Sequence, residues 1–398
     1  MELSEYKAGE YKQKYEYQSF LPELINHSWQ ISDGEVQTLL SEADRVLGEL
    51  NAFSQLVPDV DFFIQMHIIK EATQSSRIEG TRTNMEEVLS AEQDVAPENR
   101  DDRAEVKNYI EAINSAIQQL ESLPLSNRLL KNTHKTLMQG VRGETKLPGE
   151  FRTSQNWIGV SLKNAIFIPP HQDEVLDLMS DMEKFIQNQE LQVPHLIKIG
   201  IAHYQFETIH PFLDGNGRLG RLMIALYLAS FNLLHKPALY LSDYFERNKT
   251  EYVDRLMAVR EGNQMKHWLI FFLYGVKETA ENSIQVFKDI LILKERIERE
   301  VLPHFTTRRQ KNAQILMQSL YEVPIININM VADKLGLKHN TATALVNDFV
   351  KLGVLLEVNE RKRNRLFWFK DYILLCKNSV TFFLYLSLQS IYSIYIER

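Results

Sequence analysis

Two helical stretches, residues 194–208 and 219–231, meet at a run that neither can absorb: His210-Pro211-Phe212-Leu213-Asp214-Gly215-Asn216-Gly217-Arg218-Leu219-Gly220-Arg221. Proline and the Gly-Asn-Gly triplet interrupt any regular element. The chain must therefore make a helix, a tight loop, and a second helix that opens on glycines. The open end of such a helix carries unpaired N–H groups and the positive end of the helix dipole, so it favours an anion.

Most of the remaining pattern is helical, and the fold class expected is all-α. Residues 35–56 carry Val36, Leu39, Leu40, Ala43, Leu47 and Leu50 on one stripe. Pro58-Asp59 opens a second helix that closes at Gly80. Residues 94–102 read as a polar loop, followed by helices over 106–120, 127–138, 249–260 and 267–294. Residues 149–170 break the pattern with Phe151, Trp157, Ile158, Val160 and 166–168 around a polar 161–164 turn, which reads as a small β-hairpin flap. After a break at 301–309, a short helix (329–335), a tight turn, a second helix (341–352) and two strands (355–358, 365–369) have the outline of a winged helix-turn-helix.

The central run concentrates chemistry. His210 ends a helix, and an imidazole with an ordinary pKa of about 6.5 accepts a proton at neutral pH. Asp214 beside the glycines suits Mg²⁺, which binds one or two carboxylates together with phosphate oxygens. The bland alternative is a turn or cap residue. Arg218 and Arg221 share one helix face, where a polyphosphate between them would relieve their repulsion. Phe212 reads as a core anchor.

The run resembles the signature of the Fic family, H-x-F-x-D/E-G-N-G-R-x-x-R, at every defined position. The resemblance implies a Fic-type helical core and transfer of a nucleotide monophosphate, usually AMP from ATP, to a protein hydroxyl. It implies that His210 deprotonates the target Ser, Thr or Tyr and that Asp214 holds Mg²⁺. Asn216, Gly217 and Arg218 would bind the α- and β-phosphates and Arg221 the γ-phosphate, with Gly215, Leu219 and Gly220 in the same cradle. Ser75-Ser76-Arg77-Ile78-Glu79-Gly80 resembles the family's inhibitory motif, S/T-x-x-x-E-G/N, with Ser75 and Glu79 one turn apart. The implied role of Glu79 is to pair with Arg221 and take it from the γ-phosphate. Gly149-Glu150-Phe151-Arg152 and Asn156-Trp157-Ile158-Gly159 resemble the family's flap, with Trp157, Ile158 and Gly159 beside the nucleotide. Tyr252 matches a position lining the nucleotide pocket and offers stacking or a hydrogen bond to base or ribose; Arg260 is a further candidate.

The 398 residues divide, on this reading, into an N-terminal helical region (1–100) with the inhibitory helix at 58–80, a Fic catalytic domain (101–295), a winged helix-turn-helix (300–372) and a hydrophobic tail (373–398). A net charge of −7 excludes a global nucleic-acid footprint. Local charge in Arg361, Lys362, Arg363 and Arg365 leaves DNA contact through the C-terminal domain open, with a protein partner as the alternative. The single Cys376 allows no intrachain disulfide, and residues 1–17 lack the apolar core of a secretory signal, so a cytoplasmic location is expected. Residues 378–396 are uncharged and apolar; the expected role is a docked segment or an oligomer contact such as a homodimer, not a membrane anchor. Expected partners are ATP and a target protein that the sequence does not identify. Transfer of UMP or phosphocholine, removal of AMP, and a nucleotide-sensing DNA-binding regulator stay open as alternatives.

Overall fold

Asp33 starts the first long helix by accepting the N–H groups of Glu35 and Val36, both at 3.1 Å. That helix, α1 (Gly34–Leu56), buries Val36, Ala43, Leu47 and Leu50, the stripe its periodicity predicts. In the computed structural model, which describes residues 1–14, 16–56, 60–91, 95–358 and 365–377, helices dominate and the sheets are small and antiparallel.

Before α1 lies a two-stranded hairpin, β1 (Gly9–Lys14) and β2 (Tyr17–Pro22). After it come α2 (Val60–Ile78), α3 (Met85–Leu89), α4 (Arg100–Gln119) and α5 (Asn127–Leu137). The flap strands are β3 (Ile158–Gly159) and β4 (Ala165–Phe167). They precede α6 (Val175–Gln187), α7 (His195–Ile209), α8 (Asn216–Ser230), α9 (Ser242–Arg247), α10 (Lys249–Gly262) and α11 (Met265–Arg296). The C-terminal elements are α12 (Thr307–Glu322), β5 (Ile325–Asn327), α13 (Ile328–Leu335), α14 (His339–Lys351), β6 (Leu355–Glu357), β7 (Leu366–Phe369) and α15 (Lys370–Lys377), with strand order β5-β7-β6.

The chain forms two units. The first comprises Met1–Leu56, Glu71–Thr83 and Ala96–Glu281; the second comprises Val57–Lys70, Asn84–Val95 and Asn282–Arg398. The core of the first centres on α7, whose residues from Leu196 to Ile209 are all buried, and on α8. A helix apolar on every side belongs at the centre of its domain, and the other helices supply the covering layer. In the second unit, Phe63, Tyr321 and Tyr372 meet edge to face.

Several boundaries differ from the sequence expectation. Residues 1–100 are not wholly helical, since β1 and β2 precede α1. The polar stretch 94–102 is not loop to its end: α4 begins at Arg100, with Asp101 and Asp102 in its first turn, where the helix dipole favours carboxylates. The flap strands are two and three residues long and carry a bulge between Ile158 and Gly159. The helix leaving the central run begins at Asn216, three residues before Leu219. Residues 373–377 of the expected tail belong to α15 (Lys370–Lys377), which begins in the last residues of the expected winged-helix region. Pro58, Asp59, the basic turn 359–364 and the segment 378–396 lie outside the described residues. Among the described residues no helix is long and apolar enough to cross a membrane.

Candidate active site

The C-terminus of α7 delivers His210 in the left-handed region, φ +50° and ψ 60°, a conformation uncommon outside glycine and asparagine. Its carbonyl is held there by two buried side chains: Arg152 Nε donates at 2.9 Å and Asn156 Nδ2 at 3.0 Å. Arg152 also donates to the carbonyls of Ile209 (3.3 Å) and Pro170 (2.6 Å). The strained residue is thus fixed by its surroundings. Burial, and then the charges of Arg260 and Arg152, push the His210 pKa down to about 4, so the imidazole is neutral across the physiological range instead of titrating near 6.5.

The loop after His210 is locked from inside. The Asn216 side chain accepts the N–H of Phe212 and donates to the carbonyl of Phe212, both at 2.8 Å. Both groups of its amide are therefore spent on the loop, and what Asn216 offers an anion is its backbone N–H. Phe212 stacks on His134, ring centroids 3.9 Å apart. His134 Nδ1 accepts the N–H of Gly149 at 2.9 Å, so Nε2 carries the proton and donates to the carbonyl of Asp214, also at 2.9 Å. One buried imidazole thereby joins the flap's first residue to the acidic loop.

Gly215 caps α8 with φ +73°. Its first-turn N–H groups, from Asn216, Gly217 and Arg218, have no partner within the helix and form its anion-accepting end. The Asp214 carboxylate accepts the Gly215 N–H at 2.7 Å and its side chain is 41% exposed to the cleft. Among the described residues no group of three or more His, Cys, Asp or Glu side chains forms a ready-made metal site. One exposed carboxylate beside an open helix N-terminus fits the chemistry of Mg²⁺, which takes one or two carboxylates together with phosphate and water oxygens.

Arg218 and Arg221 pair with different carboxylates. Arg218 Nη1 donates to the buried carboxylate of Glu105 on α4 at 3.0 Å, and Arg142 approaches the other Glu105 oxygen at 3.4 Å. Arg221 turns to α2: its Nε donates to Ser75 Oγ and its Nη2 to the Ser75 carbonyl, both at 2.9 Å. Nη2 also donates to Glu79 Oε1 at 2.7 Å. In this arrangement two separate carboxylates, Glu105 and Glu79, offset the repulsion between the two guanidiniums. Glu79 lies directly over Gly217, where a Cβ would run into its Oε1. Burial alone would raise the Glu79 carboxyl, but the charge and hydrogen bond of Arg221, with Arg218 and His210, hold it below its usual value. Its side chain keeps 39% of its surface open to the cleft, so solvent screens part of the pair.

Other expected residues fall outside the cleft surface. Leu219 is fully buried, and Gly220 is where α8 crosses α7 close enough that a Cβ would strike Glu207. Tyr252 is 4% exposed and stacks one ring face on Phe245 at 4.5 Å and 16°; its hydroxyl pairs with His203 Nε2 at 2.8 Å. Arg260 donates to Thr208 Oγ1 and to the Glu207 carbonyl, both at 3.1 Å, and covers the Phe167 ring at 3.9 Å, so it braces the end of α7. On the flap, Trp157, Val160 and Ile166 are exposed, Val160 to 92%. Ile158 pairs with Phe167 across the strands, and Gly159 takes φ +128° at the bulge.

Sequence reasoning missed His134, Glu105, His203 and Glu207. Buried Glu207 has its pKa raised to about 7, chiefly by desolvation against the pull of Arg221. A charged or imidazole side chain in an otherwise apolar helical stripe, as at His203 and Glu207 in α7, is the one available signal for such residues.

Residues 37–118 match the family described as Fic/DOC family N-terminal, and residues 124–228 match the Fic/DOC family. The chain is 30% identical over 116 residues, 29% of its length, to the protein adenylyltransferase Fic of Aedes aegypti, of which 21% is covered. It is 35% identical over 77 residues, 19% of its length, to the protein adenylyltransferase Fic of Drosophila erecta, of which 14% is covered. The chain thus spans about a fifth or less of the length of these curated relatives. Its fold is similar to the crystal structure of a Fic family protein from Desulfovibrio desulfuricans G20, with TM-score 0.52 at 20% identity over 84% of this chain and 96% of that one.

Proposed function

The chain belongs to the Fic/DOC family through residues 37–118 and 124–228, and on that premise we propose that it is an autoinhibited protein adenylyltransferase. It moves AMP from ATP to a Ser, Thr or Tyr hydroxyl of a target protein and of itself. The hydroxyl oxygen attacks the α-phosphorus, pyrophosphate leaves, and the neutral His210 takes the hydroxyl proton. Its pKa of about 4 makes it a weak base on its own, and nucleotide phosphates would raise its proton affinity. The open first turn of α8 receives phosphate oxygens, with Arg218 and Arg221 as the flanking cations. Asp214 would hold Mg²⁺, which when bound supplies charge neutralisation on the polyphosphate.

The observation that carries the inhibitory part is the Glu79–Arg221 contact at 2.7 Å over Gly217. A carboxylate already sits where the γ-phosphate is expected to go. The exposed apolar tip of the flap supports docking of a target segment as an added strand. Residues 300–372 are read as a winged helix because α13 and α14 are joined through Gly336 and followed by the β6–β7 pair. Their partner belongs to a separate experiment on salt-dependent DNA binding.

The test compares wild type and Glu79→Gly with labelled ATP and Mg²⁺ in cell lysate. Labelled protein bands should intensify with Glu79→Gly and vanish with Glu79→Gly/His210→Ala. Equal labelling of wild type and Glu79→Gly would overturn the inhibitory assignment, and labelling that survives His210→Ala would overturn the base.

A further inference from the structure

The loop that joins α5 to the flap passes directly beside Asp214. At Gly143, which takes φ +94°, a Cβ would stand 2.9 Å from Asp214 Oδ2 and 2.5 Å from the Met138 side chain. A residue without a side chain lets the backbone run this close to the carboxylate. The loop is held from two sides. Within it, the Glu144 N–H donates to the carbonyl of Val141 at 3.0 Å and the Lys146 N–H to that of Gly143 at 2.8 Å. From α4, Asn108 Nδ2 donates to the carbonyl of Gln139 at 2.5 Å.

Glu105 lies one turn before Asn108 on α4 and reaches the same loop. Arg142 Nε is 3.4 Å from Glu105 Oε1, while Oε2 accepts Arg218 Nη1 at 3.0 Å. One buried carboxylate therefore holds two guanidiniums of opposite exposure: the Arg218 side chain is 4% exposed and the Arg142 side chain 67%. Arg218 is closely committed, with Nη1 on Glu105 and Nη2 on Met138 Sδ at 3.5 Å. The Asp214 carboxylate lies 3.9 Å from the same Nη2. Arg142 meets Glu105 through Nε, which leaves its Nη groups as the free edge of the fork. Counted formally, the carboxylates of Asp214 and Glu105 are balanced by Arg218 and Arg142. Without Arg142 this corner is net negative and repels a polyphosphate.

We propose that Arg142 is a nucleotide-binding residue, a third arginine that grips phosphate oxygens beside Asp214 from the exposed rim of the cleft. The inference rests on the reading of the first turn of α8 as the phosphate site. Arg218, buried and already paired, forms the floor of that site. Arg142 offers what Arg218 cannot, a solvent-facing planar fork that matches phosphate geometry. Glu105 keeps the fork near the cleft before the nucleotide arrives. An acidic side chain of a target protein would meet the same guanidinium, and the experiment separates it from a phosphate.

The test measures ATP and adenosine binding by titration calorimetry, with Mg²⁺, in Glu79→Gly and in Glu79→Gly/Arg142→Ala. ATP affinity should fall about fivefold, the scale of one partly screened charge-assisted contact, while adenosine stays within about twofold. Glu79→Gly/Arg142→Lys, which keeps the charge and loses the fork, should recover part of the loss. The difference should shrink at high salt, because a rim charge is screened. Equal losses for ATP and adenosine would overturn the proposal, since adenosine has no phosphate to grip. Unchanged ATP affinity in Arg142→Ala would also overturn it, and reduced labelling of a target protein in that case assigns Arg142 to the target. If Glu79→Gly binds ATP no more tightly than adenosine, the phosphate reading of α8 fails, and that outcome is read from the parent variant alone. Melting temperatures identify any variant that fails to fold, and Arg142→Lys carries the decision if Arg142→Ala does.

Discussion

Arg221 on α8 and Glu79 at the C-terminal end of α2 are separated by 142 residues in sequence and by 2.7 Å in space, and Ser75 grips the same guanidinium from one turn earlier. A carboxylate at a helix C-terminus is disfavoured by the dipole, so Glu79 gains from a cation across the cleft. The position of α2 is set elsewhere. Glu71 accepts the Tyr109 hydroxyl at 2.8 Å and the Ser242 hydroxyl at 2.5 Å, tying the helix to α4 and α9.

Lys249 Nζ donates to the carbonyl of Ile78 at 2.5 Å, at the last turn of α2. Lys249→Ala leaves that carbonyl to water and loosens the segment that carries Glu79. Removing about 1 kcal/mol of restraint should raise self-modification roughly fivefold. Rates of label incorporation check this, and Lys249→Ala in a Glu79→Gly background should add nothing.

Gly217→Ala puts a methyl group against Glu79 Oε1 and 2.9 Å from Arg221 Nη1. It should displace Glu79 and disturb the first turn of α8 together, which on the proposed function removes the inhibitor and the phosphate site at once. ATP affinity is expected to fall at least about tenfold, roughly 1.4 kcal/mol, without the activation that Glu79→Gly produces. Calorimetry on the two variants separates the effects.

Arg218→Met leaves the Glu105 carboxylate buried with Arg142 as its remaining cation at 3.4 Å. Breaking a buried pair from one side costs about 3–5 kcal/mol. Urea unfolding should show a fall of that order, and Arg218→Met/Glu105→Gln should regain most of it.

His134 is buried with its pKa lowered to about 4, burial being the main cause. The folded protein therefore binds this proton less readily than the unfolded chain. The contribution to stability is complete above the unfolded value of about 6.5 and is lost as pH falls through 6.5 toward 4. The full loss is on the order of a few kcal/mol. Melting temperature measured from pH 7.5 to 4.5 should fall less steeply for His134→Gln than for wild type.

Val160→Asp charges the most exposed apolar residue of the flap, outside the phosphate cradle. Labelling of target proteins should drop about tenfold, the scale of losing one apolar anchor, while ATP affinity in a Glu79→Gly background stays unchanged. An equal loss in ATP affinity would place the flap tip on the nucleotide instead.

The legible parts of the chain were those governed by short-range pattern. The stripe on α1, the helices flanking the central run, and the chemistry from His210 to Arg221 are local. What stayed hidden depended on partners far along the chain. The β1–β2 hairpin is masked by a run rich in Lys, Glu and Tyr, and its β2 strand is paired at Phe20 with the Ile168 carbonyl, 148 residues away. Helix α12 begins at Thr307 among residues read as a break, because a basic first turn contradicts the dipole preference and tertiary packing overrides it. His134 lies in an amphipathic helix like any other, and nothing local says that both its nitrogens reach the acidic loop and the flap.

By itself the sequence determined which groups are available: a histidine at a helix end, a carboxylate beside two glycines, two arginines one turn apart, and a glutamate before a distant Gly80. These follow from local periodicity and turn chemistry, which act over a few residues. Only the tertiary structure decided how their charges are spent. It gave Arg218 to Glu105 and Arg221 to Glu79, committed the Asn216 amide to the loop, and buried the Tyr252 ring away from the cleft. Buried charges and polar groups take whichever partner the packing brings within hydrogen-bonding distance, and that choice is made by helices far apart in sequence.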